Sequence, residues 1–179
     1  MEVSKDRLTA ATFEELAMPL FDQLYNFAHW LTQDHAEAED LVQETYAKAL
    51  RGFSSFQLGT NFRAWIYRIL RNTFLTSRTG LKANVPLEFD DNTEPSAGPE
   101  TPETLLIERA QQQVVQEVMA ELPVNYREIL LLCEVEEMSY QEIAETLGVP
   151  IGTVMSRLSR ARKALRDRLR QKLQGEAHA

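Results

Sequence analysis

Phe13, Leu16, Leu20, Leu24, Phe27 and Leu31 recur three or four residues apart, which is the period of one face of an α-helix. Pro19 falls inside this run and should end one helix or sit in the first turn of the next. A second stripe, Leu41, Val42, Tyr46, Ala49 and Leu50, predicts a helix from about Ala36 to Leu50, with Gly52 marking its end. After the loop SSFQLGTN, a third helix is expected to start near Asn61, with Phe62, Trp65, Ile66, Ile69, Leu70 and Phe74 on one face. Residues 86–102, PLEFDDNTEPSAGPETP, hold four of the seven prolines and few large apolar side chains. Such a composition reads as an extended connection. Beyond it, Leu106, Val114, Val118 and Leu122 predict a helix from about Pro102 to Leu122. Pro123 breaks it, and Asn125 is expected to cap the next helix, Tyr126 to about Glu136. No alternating strand pattern and no internal repeat occurs. The expected fold is all-α, with two small helical domains, 1–85 and 105–175, joined by a flexible, acidic, proline-containing linker at 86–104.

The last part of the pattern is the most specific. In SYQEIAETLGVPIGTVMSRLSRAR, Ser139 followed by Glu142 has capping-box spacing. Ile143, Ala144 and Leu147 give that helix its buried face, and Gly148 stands where a helix terminus needs a left-handed residue. Pro150 cannot continue the first helix but can lead into another. In that second helix Ile151, Val154, Leu158, Ala161 and Leu165 are expected inward. Thr153, Met155, Ser156, Ser159, Arg160 and Lys163 are then left towards solvent. Helix, glycine-containing turn and helix make the layout of a DNA-reading helix-turn-helix. Gly152, Thr153 and Ser156 are short enough to enter a major groove. Arg157, Arg160 and Arg162 could neutralise phosphates or read guanine edges. An ordinary helical hairpin with a basic solvent face would show the same pattern.

Charge sharpens this picture. The 179-residue chain has a formal net charge of -8, yet its charges are sorted into blocks. Asp34, Glu37, Glu39, Asp40 and Glu44 stand together without a Lys or Arg. From Thr45 to Leu87 there is no acid, but Lys48, Arg51, Arg63, Arg68, Arg71, Arg78 and Lys82. Glu88 to Glu108 contains seven acids and no base, and Val149 to Leu173 contains eight bases and one acid. Two basic islands in an acidic chain suit a polyanion, and the acidic remainder suits a basic protein partner or solubility.

Other chemistry is excluded more than supported. The only cysteine is Cys133, inside the apolar run ILLLC, so no intrachain disulfide can form, and a reducing cytoplasm is the expected compartment. His29, His35 and His178 share no metal-ligand spacing, so neither a metal nor another cofactor is expected. There is no phosphate-binding loop and no nucleophile motif, which argues against an enzyme. No apolar run approaches ~18 residues, so no membrane insertion is expected.

The stretch SYQEIAETLGVPIGTVMSRLSRARKAL resembles the C-terminal promoter-reading domain of bacterial sigma factors. AEDLVQETYAKAL resembles their segment that grips core RNA polymerase, and FRAWIYRILRNTF the segment that melts and reads the minus-ten element. The direct passage from one domain to the other is similar to the extracytoplasmic-function class. The resemblance implies that Thr153, Met155, Ser156, Arg157, Ser159, Arg160, Arg162 and Lys163 meet the minus-thirty-five element. It implies minus-ten contacts for Ser54, Phe56, Asn61, Arg63, Arg68, Arg71, Asn72 and Arg78. Polymerase contacts fall to Asp40, Leu41, Gln43, Glu44, Ala47 and Lys48. The implied partners are promoter DNA, the clamp coiled coil of the largest polymerase subunit, the polymerase flap and an anti-sigma factor. A stand-alone regulator with a helix-turn-helix is the alternative within DNA binding, though it should carry a ligand pocket or phosphoacceptor in the first unit.

Overall fold

The computed structural model describes residues 12–79 and 112–176, which form two helical units with no strand among the described residues. The expected linker at 86–104, the expected helix start at Pro102 with Leu106, and Lys82 lie outside them.

The first unit begins with a helical segment at 12–17, then a 3-10 turn at Met18–Leu20 that takes in Pro19. Proline supplies no amide, so it is placed where the chain changes helix type. Helix α1, Phe21–Thr32, ends at Gln33 in a left-handed conformation (φ 60°), whose amide donates to the His29 carbonyl. Helix α2, His35–Gly52, starts under the Asp34 carboxylate, which accepts from the Glu37 amide at 2.9 Å. This side chain satisfies one of the orphan amides of the first turn, and its charge suits that end of the helix. A 3-10 turn at Phe53–Ser55 leads to the loop before α3, Phe62–Thr79.

The three helices pack on one another. Leu24, Phe27, Ala28 and Leu31 of α1 bury against Ala38, Leu41, Val42 and Ala49 of α2 and Ile66, Tyr67, Leu70 and Phe74 of α3. Each fully buried large apolar side chain contributes about 1.5–3 kcal/mol. Leu50, expected in the α2 stripe, is instead 51% exposed. It follows Ala49 by one residue, about 100° round the helix, and leaves the core face.

In the second unit α4, Gln112–Glu121, is followed by α5, Val124–Leu130, and by one turn of π-helix at Leu131–Val135. Helix α6, Tyr140–Leu147, and α7, Ile151–Glu176, complete it. The α5 start corrects one expectation. Asn125 is inside the helix, and the carbonyl of Pro123 accepts from the Tyr126 and Arg127 amides. The extended backbone of Pro123 (ψ 144°) aims that carbonyl into the first turn, so no side-chain cap is needed. Buried Arg127 closes the end of α4, donating to the carbonyls of Met119, Ala120 and Leu122 at 2.9, 2.7 and 3.1 Å. A cation is favoured there by the unsatisfied carbonyls of a helix C-terminus. Helices α4 and α5 both pack on α7, around Val118, Leu122, Ile129, Leu130, Val154, Leu158, Ala161 and Leu165.

Candidate nucleic-acid interface

Helices α6 and α7 form the turn that the spacing predicts. Ser139 accepts from the Glu142 amide, and the Glu142 carboxylate accepts from the Ser139 amide. Gly148 is left-handed (φ 67°), and its amide returns to the Ala144 carbonyl at 2.9 Å. The Pro150 carbonyl then accepts from the Thr153 and Val154 amides, opening α7. A side chain at Gly152 would meet nothing within 4 Å inside the protein. The fold therefore does not require glycine there; close approach of an outside backbone would.

On α7 the eight predicted reading residues separate. Met155 and Lys163 are exposed, while Thr153, Ser156, Ser159 and Arg160 are half-buried. Arg160 lies along its own helix, with Nε 3.3 Å from the Ser156 carbonyl. Arg157 is only 6% exposed, because it follows Val154 by three residues and precedes Leu158, on the flank of the buried stripe. Arg162 turns towards α5's continuation, pairing with Glu134 at 2.6 Å. Ile151, expected inward, is 43% exposed. It sits at the first residue of α7, ahead of the stripe that begins at Val154. With Met155 one turn on, it adds apolar surface of the kind that meets thymine methyl groups.

In the first unit the loop after α2 rests on aromatic rings. Phe56 stacks on Phe53 (centroids 5.8 Å, 15°) and lies 5.0 Å from Trp65. Of the apolar face expected on α3, Phe62 and Phe74 are buried in the core but Trp65 is only half-buried, as is Phe56 of the loop. Ser54 is exposed at the mouth of this loop. Asn61 has a structural use, its Oδ1 accepting from the Ala64 amide at the start of α3. Arg68 and Asn72, four residues apart and both exposed, share one face of α3. Arg71 is half-buried on the flank of that face. Arg63 lies on the opposite side, over the Tyr67 ring at 5.8 Å.

Arg78, expected among the minus-ten residues, is exposed near the end of α3. It pairs with Glu37 at 2.7 Å and lies over the Phe74 ring. It thereby helps line a cleft of about 230 Å³ with Glu37, Asp40, Leu41, Glu44 and Phe74. Of the predicted polymerase contacts, Asp40, Gln43, Glu44 and Ala47 are exposed on α2. Lys48 bridges Glu44 at 3.0 Å and donates to the Thr73 hydroxyl at 3.3 Å. Leu41 is buried, at 7% exposure, and supports this face from below.

Two perturbed groups mark the interior edges of these surfaces. Burial, aided by the Asp22 charge, pushes the Tyr46 phenol up to about 12. Its hydroxyl donates to the Ala17 carbonyl at 2.6 Å. Burial pushes the Cys133 thiol up as well, with Glu134 adding and Arg162 opposing. Sequence reasoning missed Glu134 and Arg127, whose partners lie on other helices, at 28 residues' distance for Glu134.

Residues 16–82 match sigma-70 region 2, and residues 112–165 match sigma-70 region 4. The chain is 35% identical over 170 residues to the ECF RNA polymerase sigma factor SigE of Mycolicibacterium smegmatis, covering 94% of this chain and 65% of that relative's length. It is 31% identical over 162 residues to the ECF RNA polymerase sigma factor SigW of Bacillus subtilis, covering 83% and 84%. Among solved structures it is similar to the sigma factor RpoE from Bartonella quintana, crystallised with the anti-sigma factor NepR. The TM-score is 0.67 at 31% identity, over 89% of this chain and 97% of the other.

Proposed function

This chain belongs to the extracytoplasmic-function class of the sigma-70 family, and from that premise we propose that it binds core RNA polymerase and directs promoter-specific initiation. The carrying observation is that one chain holds both units in family order, an acidic exposed face on α2 and a capped helix-turn-helix whose second helix is basic. The exposed α2 residues Asp40, Gln43, Glu44 and Ala47 would meet a basic surface on the polymerase clamp, where complementary charge steers association. The second unit would lie near the flap. Ser54, Phe56, Arg68 and Asn72 suit capture of unpaired bases, which takes cations for the backbone, rings for stacking and polar groups for base edges. The N-terminal half of α7 suits duplex reading at the minus-thirty-five element. A sigma factor supplies specificity while the polymerase performs catalysis. An anti-sigma partner is inferred from the similarity to the NepR-bound protein, and action in the cytoplasm follows from the role. No helix among the described residues is long and apolar enough to cross a membrane.

Reconstituted transcription on a promoter library tests the proposal. Core polymerase with this chain should yield transcripts from a defined subset of promoters, and core alone should not. Identical output with and without the chain would refute it.

A further inference from the structure

Arg162 is one of the cations that an unfolded reading of the sequence assigns to DNA. In the folded chain its guanidinium is engaged elsewhere. Nε and Nη2 both donate to Oε1 of Glu134, at 3.0 and 2.6 Å, and Nη2 also faces the Cys133 sulfur at 3.6 Å. Both partners' side chains are 24% exposed. This differs from the ion pairs further along α7, where Lys172 meets Glu117 and Arg168 approaches Glu121 with one carboxylate partner half exposed in each case. Burial works against the Arg162 charge, yet the hydrogen bond and charge of Glu134 hold its pKa above the ordinary value.

Glu134 occupies a particular place. It lies in the π-helical turn at Leu131–Val135, closed by the Glu136 amide donating to the Leu131 carbonyl at 2.9 Å. Glu137, next after it, is left-handed (φ 51°), and α6 begins at Tyr140. The corner that launches the helix-turn-helix is therefore bonded to α7 nine residues beyond Thr153. At 1.5 Å per residue, that is a lever of about 13 Å, so a tilt of about 5° at Arg162 moves the reading tip by about 1 Å. Hydrogen bonds to base edges do not survive displacements much larger than this.

We propose that Glu134 and Arg162 are a positioning pair for promoter reading, in which Arg162 sets the attitude of α7 and does not contact DNA. The proposal rests on the reading of α7 as the recognition helix. It predicts that Glu134, an acid whose removal makes the unit more basic, is needed for specific binding.

The test uses the full-length chain reconstituted with core polymerase. The probe is a duplex promoter that the wild-type holoenzyme selects from a library randomised at its upstream element. Affinity for it, relative to a duplex with that element scrambled, is measured across a salt series. The variants are Glu134→Ala, Arg162→Ala and the exchange Glu134→Arg with Arg162→Glu. Each single substitution should lower the ratio about tenfold, leave the salt slope unchanged, and be largely rescued by the exchange. Unfolding of the second unit would also lower the ratio, so the melting temperature of each variant is measured alongside it. A ratio unchanged in both single variants, or lowered only where the second unit has melted, overturns the proposal. Two other results also overturn it, because each shows Arg162 on DNA. One is tighter specific binding by Glu134→Ala. The other is a salt slope reduced by about 0.9 in Arg162→Ala. If the wild-type holoenzyme selects no upstream sequence at all, the recognition-helix reading itself fails, an outcome distinct from failure of the pair.

Discussion

Asn72 is polar, fully outside the core and on the same α3 face as Arg68, one turn from a positive charge and two from Trp65. A contact from such a residue to a base edge exists only after the base leaves the duplex. Asn72→Ala should leave duplex binding by the holoenzyme nearly unchanged and reduce strand opening. Permanganate footprinting on a matched promoter checks this, with a pre-melted bubble as the control that restores the mutant. Equal opening on the matched duplex would remove Asn72 from the mechanism. Gly152 offers a second case, because nothing inside the protein occupies the space a methyl group would fill. Gly152→Ala should stabilise the second unit by up to about 1 kcal/mol, since alanine is the better helix former, while weakening duplex binding. A raised melting temperature with undiminished promoter affinity would show that no phosphate backbone approaches this turn. At this scale the sequence was only partly legible. Periodicity placed Val154, Leu158, Ala161 and Leu165 inside correctly. It could not see that Arg157 would be swept along on the flank of that stripe, or that Arg162 had a carboxylate waiting 28 residues upstream. Charge in a sequence reports what a side chain carries, and only packing reports which way it faces.

Elements were more legible than residues, because local chemistry decides them. The Ser139–Glu142 box and left-handed Gly148 formed as their spacing requires. The miss at Asn125 arose where a backbone carbonyl, that of Pro123, could do the work of a cap. The π-turn at Leu131–Val135 left no mark in the hydrophobic pattern, since its apolar run ILLLC suits any buried helix. Tyr46 links the legible and illegible parts. The stripe placed it on α2, but its bond to the Ala17 carbonyl joins α2 to the segment before Pro19. Its neutral form is favoured in the folded chain, with a pKa raised from 10.0 to about 12 by burial and then by Asp22. Stability from this group is therefore complete below pH 10 and is lost as the pH rises towards 12. Tyr46→Phe should cost about 1 kcal/mol near neutrality through the lost hydrogen bond. The gap between wild type and variant should close across that alkaline window in thermal melts by circular dichroism. A pH-independent gap would mean that the phenol is solvated in the folded state.

For the molecule as a whole, the net charge of -8 stands against the two surfaces proposed to meet DNA. The sum is misleading, because Val149 to Leu173 alone carries eight bases against one acid, while Glu88 to Glu108 carries seven acids and no base. Those acids lie outside the described residues, but they are covalently tied to both basic islands, so their local concentration near each is high whatever the protein concentration. A polyanion held that close competes with DNA phosphates for the same cations. The free chain should accordingly bind promoter duplex poorly. Neutralising Asp90, Asp91, Glu94, Glu100 and Glu103 to Asn or Gln should raise its affinity severalfold at low salt. The gain should shrink as salt rises, because the competition is screened over about 8–10 Å at moderate ionic strength. Fluorescence anisotropy with the free chain across a salt series measures both effects together. An affinity unchanged at low salt would mean that the acidic segment does not compete. Weak binding by the free chain in that case would point to the other block of like charge, the acidic face of α2 around Asp40 and Glu44, where neutralising substitutions are the next measurement.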